Sequence, residues 1–118
     1  MCAAVSKVFD IFEKDHILEH VRELTPYLEE KLDALVDKYE IISRRRGKGF
    51  MQGLVIQGIS VGTIVSKALE NGLLVISAGS DVLRLVPLAC EWHKEDIDEM
   101  IENWKKAWRN AGLFHVIF

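Results

Sequence analysis

The stretch GLLVISAGSDVLRLV, residues 72–86, decides the fold. It contains two apolar runs rich in β-branched residues, 73–77 and 82–86, which are typical of strands. The four residues between the runs, Ala78-Gly79-Ser80-Asp81, have the composition of a tight turn. The stretch therefore predicts a β-hairpin.

Helical patterns flank this hairpin on both sides. Residues 61–71 predict a short helix that Ser60 caps and that ends at Gly72, a position that needs a left-handed backbone conformation. Residues 94–111 predict a final helix. Its apolar residues recur at helical spacing, and they are Ile97, Ile101, Trp104 and Trp108.

Two further helices and a strand precede these elements. Residues 5–14 predict a helix with an apolar stripe made of Val5, Val8, Phe9 and Phe12. A longer helix, with Asp15 as its N-cap, runs to about residue 38. Pro26 inside it predicts either a kink or a new helix capped by Thr25, and the apolar phase that continues across Pro26 favours the kink. Residues 50–57 predict a strand. The order of elements indicates an α+β fold in a single domain, 1–118, with a small sheet of three to four mainly antiparallel strands covered by helices.

Bulk properties exclude several classes of function. The formal net charge is −3 and the pI is about 5.8, which is unlike a nucleic-acid binder. No apolar run is long enough for a bilayer span, so we expect no membrane partner. The two cysteines, Cys2 and Cys90, offer neither a disulfide framework nor metal-ligand spacing. With no secretory leader, this composition favours a cytoplasmic location.

The sequence HILEH, residues 16–20, matches the H-x-x-E-H pattern of a class of zinc peptidases. Both of its histidines lie on the polar flank of the predicted helix, and no third ligand is marked. We therefore interpret His16 and His20 as solvent-exposed residues and predict no metal site.

A glycine pattern and a basic run precede the strand at 50–57. Gly47, Gly49 and Gly53 suggest a phosphate-binding loop, but a strand follows them where a dinucleotide site needs a helix. We interpret these glycines as residues that permit a tight turn and close backbone packing. The basic run, Arg44–Arg46 with Lys48, is not interleaved with aromatic residues and is interpreted as a solvated turn.

Cys90 is a candidate nucleophile, because His93 follows it by three residues. The segment before Cys90 is mostly apolar, which favours an inert cysteine. We therefore predict no catalytic role for this pair.

Arg84 lies in the middle of the second run of the hairpin, between Leu83 and Leu85. A guanidinium there is either at an exposed edge or paired with a carboxylate, because a buried unpaired charge is costly. The planar fork of arginine suits a carboxylate, so an amino or oxo acid is one candidate ligand. A structural ion pair with Asp81 or Glu91 is the other candidate, and the chemistry of the residues alone does not decide between the two.

An ordered set of motifs resembles the small domain of the class-III aminotransferases. RGKGFMQGL at 46–54 resembles the start of a strand in that family, and residues 72–88 resemble its hairpin. CAA at 2–4 and EDID at 95–98 resemble the beginnings of two of its helices. The set covers nearly the whole chain. AGSDVLRLVP at 78–87 is most similar to acetylornithine aminotransferases, with ornithine and 4-aminobutyrate aminotransferases as close alternatives.

The resemblance implies a mechanism for the whole enzyme. Such enzymes, which we expect to be homodimeric, transfer an amino group from an amino acid to 2-oxoglutarate, with pyridoxal phosphate (PLP) as electron sink. Arg84 matches the small-domain arginine that binds a substrate carboxylate and so orients the substrate.

The same resemblance limits what this chain contributes. The family's cofactor-binding residues, including the Schiff-base lysine, belong to a large domain that precedes the matched segment. We therefore expect no catalytic, cofactor-binding or metal-binding residue here. The chain begins directly in a helical pattern, so we interpret it as the C-terminal small domain without its large domain, inactive on its own. The alternative hypothesis is a stand-alone α+β interaction module that lost catalysis.

Overall fold

The computed structural model describes residues 1–87 and 91–110. In these ranges the chain forms four helices and four strands. They are α1 (Cys2–Lys14), α2 (Ile17–Lys38), β1 (Ile42–Lys48), β2 (Met51–Ile56), α3 (Val61–Glu70), β3 (Ile76–Ala78), β4 (Val82–Leu85) and α4 (Lys94–Asn110). The strands form one sheet in the order β1-β2-β4-β3, and all neighbours are antiparallel. This arrangement confirms the α+β fold and a hairpin within 72–86. Its first strand is Ile76–Ala78 and not 73–77 as predicted, so Ala78, which was expected in the turn, pairs with Val82.

The core lies between one face of the sheet and the helices. Leu28 and Leu32 of α2 are fully buried, as are Leu54 of β2 and Leu83 of β4, which are partners in the sheet. Apolar residues of α2 and α4 recur at helical spacing, so each helix turns one continuous stripe toward the sheet. The two indoles of α4, Trp104 and Trp108, complete the same core cluster.

The sequence pattern did not predict strand β1. Its basic run, Arg44–Arg46 with Lys48, was interpreted as a solvated turn. That interpretation was wrong. Charged residues have low strand propensity, but an edge strand needs charges to discourage pairing with other chains. Because β1 is an edge strand, its arginines are compatible with strand structure.

The start of α2 also differs from the expectation. Asp15 was predicted as the N-cap, but it is the residue that ends α1, and His16 is the N-cap of α2 with a left-handed φ of 49°. Only Asp15 and His16 connect the two helices. Because Asp15 caps the end of α1, His16 is the residue that precedes the first turn of α2. Helix α2 continues through Pro26. The apolar residues before and after Pro26 keep the same helical spacing, which agrees with one continuous helix.

The first helix contributes little to the core. No residue of α1 is buried, and Phe9 of its predicted apolar stripe is two-thirds exposed. The periodicity correctly predicted a helix, but the described residues do not cover its apolar face.

A polar contact joins α2 to α4 at the surface. The Tyr27 hydroxyl donates a hydrogen bond to Asp98 Oδ1. The ammonium groups of Lys31 and Lys94 lie 5.3 and 5.4 Å from the centre of the Tyr27 ring. The hydrogen bond to Asp98, followed by desolvation and by the charge of Asp98, raises the pKa of Tyr27 from 10.0 to about 12.

We expect Asp98→Asn to lower the pKa of Tyr27, because asparagine removes the negative charge that opposes phenolate formation. The hydrogen bond stabilises the fold below pH 10, and this contribution is lost as the pH rises through about 12. The absorbance of the phenolate follows the titration. Tyr39 is the other tyrosine of the chain, so subtracting the curve of Tyr27→Phe, in which only Tyr39 titrates, leaves the signal of Tyr27. Equal midpoints in the parent chain and in Asp98→Asn would contradict the assignment.

Candidate functional site

Arg84 lies on the face of the sheet opposite to the buried leucines. Its partner on β2 is Gly53, and its partner on β3 is Ile76. Arg46 of β1 is the other partner of Gly53. Residues paired across antiparallel strands point to the same face, so these four residues form one row across the sheet.

The side chain of Arg84 is exposed, although both neighbours in the strand are buried. No acidic side chain within residues 1–87 and 91–110 forms a salt bridge with it. Asp81 and Glu91, the structural partners considered from sequence, are therefore not paired with Arg84. Among the residues that the structure describes, its fork of N–H donors meets no carboxylate.

An apolar depression of about 380 Å³ lies beside Arg84. Its walls come from the segment around β3, from β4 and from α4, and they include Leu73, Ile76, Val86, Trp92 and Met100. A single guanidinium at the edge of an apolar surface suits a small organic anion whose carboxylate meets the cation.

The turn between β1 and β2 is held by a polar network on the helical side of the sheet. Arg45 Nε donates to Asp33 Oδ1 over 2.7 Å, and Arg45 Nη1 donates to Gln52 Oε1 over 3.0 Å. Gln52 is buried, and its Nε2 donates to the Gly49 carbonyl over 2.8 Å. The bond to Asp33 also raises the pKa of Arg45. The network fixes the turn that leads from Arg46 to Gly53.

The basic run is thus divided between two faces. Arg45 points to the helical side and is mostly buried, whereas Arg44, Arg46 and Lys48 are exposed. No salt bridge of these three residues is found in the part of the chain that the structure describes. Sequence reasoning missed that Arg46 and Arg84 share a row, since this follows only from the register of β1.

The glycines have the structural role expected from sequence. Gly49, with a φ of +58°, lies in the tight turn between β1 and β2, whereas Gly47, with a φ of +134°, lies in β1 opposite Gln52. A Cβ at Gly53 would approach Val82 Cγ1 to 3.0 Å. The glycine pattern therefore belongs to a hairpin turn and to close strand packing.

The two histidines of the H-x-x-E-H pattern have different environments. His16 is exposed, whereas His20 is half-buried and its Nε2 lies 2.7 Å from the Trp92 carbonyl oxygen. The expectation that both are solvent-exposed was correct only for His16. The described residues contain no group of three or more potential ligands arranged to hold a metal ion.

Cys90 lies outside the described residues, so the interpretation of Cys90 with His93 stays a prediction. His93 itself is exposed and 3.8 Å from Asp96 Oδ2.

None of the nine lysines of the chain is buried. A lysine that forms a Schiff base is normally activated by desolvation or by a neighbouring cation. Burial therefore activates none of the nine lysines for Schiff-base formation. Among the described residues, no helix combines the length and apolar character that a membrane span requires.

Comparison with known proteins identifies relatives along most of the chain. The family described as aminotransferase class-III matches residues 1–108. An acetylornithine aminotransferase of Caldanaerobacter subterraneus is 39% identical over 101 residues, which cover 86% of this chain and 25% of the relative. The chain therefore spans about a quarter of the length of the curated relatives that it matches.

Solved structures show the same fold. Acetylornithine aminotransferase from Elizabethkingia anophelis superimposes with a TM-score of 0.82 over 92% of this chain and 28% of that chain, at 21% identity. A PLP-bound aminotransferase mutant from Vibrio fluvialis superimposes with a TM-score of 0.80 over 94% of this chain and 26% of that chain, at 25% identity.

Proposed function

The chain belongs to the class-III aminotransferase family, and we propose that it forms the small C-terminal domain, residues 1–118, of an acetylornithine-type enzyme. The whole enzyme would transfer an amino group to 2-oxoglutarate or a similar oxo acid. The similarity to curated acetylornithine aminotransferases supports this substrate class. We place the enzyme in the cytoplasm as a homodimer, and these two points rest on composition and on the family resemblance.

In this proposal Arg84 binds the carboxylate of the amino or oxo acid. The observation that carries the proposal is an exposed guanidinium with no salt bridge among the described residues, beside an apolar depression. Two parallel N–H···O bonds fix both the position and the orientation of a carboxylate. Arg84 would therefore orient the substrate and move no proton.

PLP, in the whole enzyme, would supply the electron sink for amino transfer. Its site would lie in residues outside this chain, because the lysines here are not buried. We accordingly propose that the chain alone has no aminotransferase activity.

In the aminotransferase that contains this sequence, we expect Arg84→Gln to raise KM about 10- to 100-fold for both the amino donor and the oxo acid. The expected size follows from the loss of hydrogen bonds to a charged group. Steady-state kinetics with each substrate varied in turn measure the effect. Arg84→Lys is the matched control: it keeps the charge without the planar fork, and its KM should lie between the other two. Unchanged KM values for both substrates in Arg84→Gln would exclude the role.

A further inference from the structure

The peptide group between Trp92 and His93 is held at both ends by side chains. Its carbonyl oxygen, which belongs to Trp92, lies 2.7 Å from His20 Nε2 of α2. Its N–H, which belongs to His93, donates to Asp96 Oδ2 of α4 over 2.8 Å. Because a peptide group is planar, holding both of its ends fixes the orientation of the whole unit. Trp92 is therefore anchored to two helices at the point where the chain enters α4.

The contact with Trp92 determines which nitrogen of His20 carries a proton. A carbonyl oxygen only accepts hydrogen bonds, so Nε2 must be the donor. The His20 side chain is half-buried, and its ring meets that of His93 edge-on, with the ring centres 5.5 Å apart. A hydrogen bond and a packing contact thus hold the imidazole of His20 in one orientation.

The anchored Trp92 forms part of the depression beside Arg84. Trp92 is half-buried and packs against the hydrophobic core. It lines the depression together with Met100 of α4, whereas Ile76 and Arg84 line it from the strands. An indole offers a large, rigid apolar surface against which the carbon chain of a ligand can pack.

We propose that His20 is a positioning residue for the substrate. Through its hydrogen bond to the Trp92 carbonyl, it holds the indole as the apolar wall of the depression. The carbon chain of an amino or oxo acid packs on this wall while Arg84 binds the carboxylate. The inference rests on the proposed function, because it takes the depression as the substrate site. His20 itself contacts no substrate and moves no proton.

The first measurement concerns the position of Trp92 and needs no enzymatic activity. Trp104 and Trp108, the other two tryptophans of the chain, are each 1% exposed, so acrylamide quenching of tryptophan fluorescence in the 118-residue chain reports mainly on Trp92. We expect His20→Leu, which cannot donate a hydrogen bond, to raise the quenching constant about twofold. His20→Gln, whose amide can donate in place of Nε2, should be quenched as the parent chain is. An unchanged quenching constant in His20→Leu would overturn the inference.

The second measurement concerns the substrate, in the aminotransferase that contains this sequence. We expect His20→Leu to raise KM about three- to tenfold for both the amino and the oxo acid with kcat nearly unchanged, and His20→Gln to keep the parent KM. A rise in quenching without a rise in KM would also overturn the inference, because the indole would then take no part in substrate binding.

His93→Leu is the matched control. It makes the same substitution in the neighbouring ring, but it keeps the His20 hydrogen bond and the backbone N–H that donates to Asp96. This variant should keep the parent quenching constant and KM. If it changes both as much as His20→Leu does, the ring contact and not the hydrogen bond is responsible, and the inference is wrong. Unchanged KM values in Arg84→Gln would instead contradict the proposed function.

Discussion

Replacing Trp104 by alanine is expected to lower the free energy of unfolding by about 3–5 kcal/mol, the usual range for removing a large aromatic side chain from a core. The Trp104 side chain is 1% exposed, and its ring centre lies 5.1 Å from that of Trp108, which in turn contacts the Tyr39 ring edge-on. A domain of this size has a total stability of roughly 5–15 kcal/mol, so the variant should be close to its folding limit. Urea denaturation measures the change.

Trp104→Phe separates the loss of volume from the loss of the indole N–H. The Nε1 atoms of Trp104 and Trp108 are buried and have no hydrogen-bond partner among the described residues. An unsatisfied buried donor costs about 1–3 kcal/mol, so phenylalanine, which has no such donor, should lose much less stability than alanine does. Leu74→Ala is the surface control, because Leu74 is 81% exposed and should change stability by less than about 0.5 kcal/mol. Equal losses in Trp104→Ala and Leu74→Ala would contradict the placement of Trp104 in the core.

Periodicity predicted most of the fold correctly. Helical patterns gave both α2 and α4, and the apolar spacing of α4 gave four of the residues that it buries, Ile97, Ile101, Trp104 and Trp108. Turn chemistry gave the hairpin of β3 and β4. These signals are local, since a helix or a hairpin places residues together that are close in sequence. The strand β1 could not be recognised in this way, because its residues are mostly charged and show no strand pattern of their own. It is a strand because it pairs with β2.

The candidate site was predictable only in part. Arg84 was identified because a charged residue in the middle of an apolar strand needs an explanation. Arg46 was not, because its proximity to Arg84 depends on two registers, β1 with β2 and β2 with β4. Register is set by the turn and by the burial of one face, and neither is visible at a single position.

The register of β1 therefore depends on the close approach of β1 and β2 at Gly47, which lies opposite Gln52. Gly47→Ala is expected to lower the free energy of unfolding by about 3 kcal/mol or more. Gly47 has φ of +134°, and strained backbone positions cost about 1–3 kcal/mol each when a side chain is added. A Cβ there would also lie 2.2 Å from the Met51 carbonyl oxygen and 2.9 Å from the Gln52 Cα. Main-chain atoms cannot move aside as the end of a flexible side chain can, so β1 must shift against β2.

Gly58→Ala is the matched control for this prediction. Gly58 also has a positive φ, +80°, but a Cβ there would meet nothing within 4 Å. It should cost only the roughly 1–2 kcal/mol of a left-handed conformation. The difference between the two variants in urea denaturation reports the clash at Gly47. If Gly47→Ala folds, the shift of β1 should also separate Arg46 from Gly53, whereas Gly58→Ala should keep this pairing. Equal stability of the two variants would mean that β1 tolerates a side chain at position 47, and that the close contact at Gly47 does not fix the register of β1 against β2.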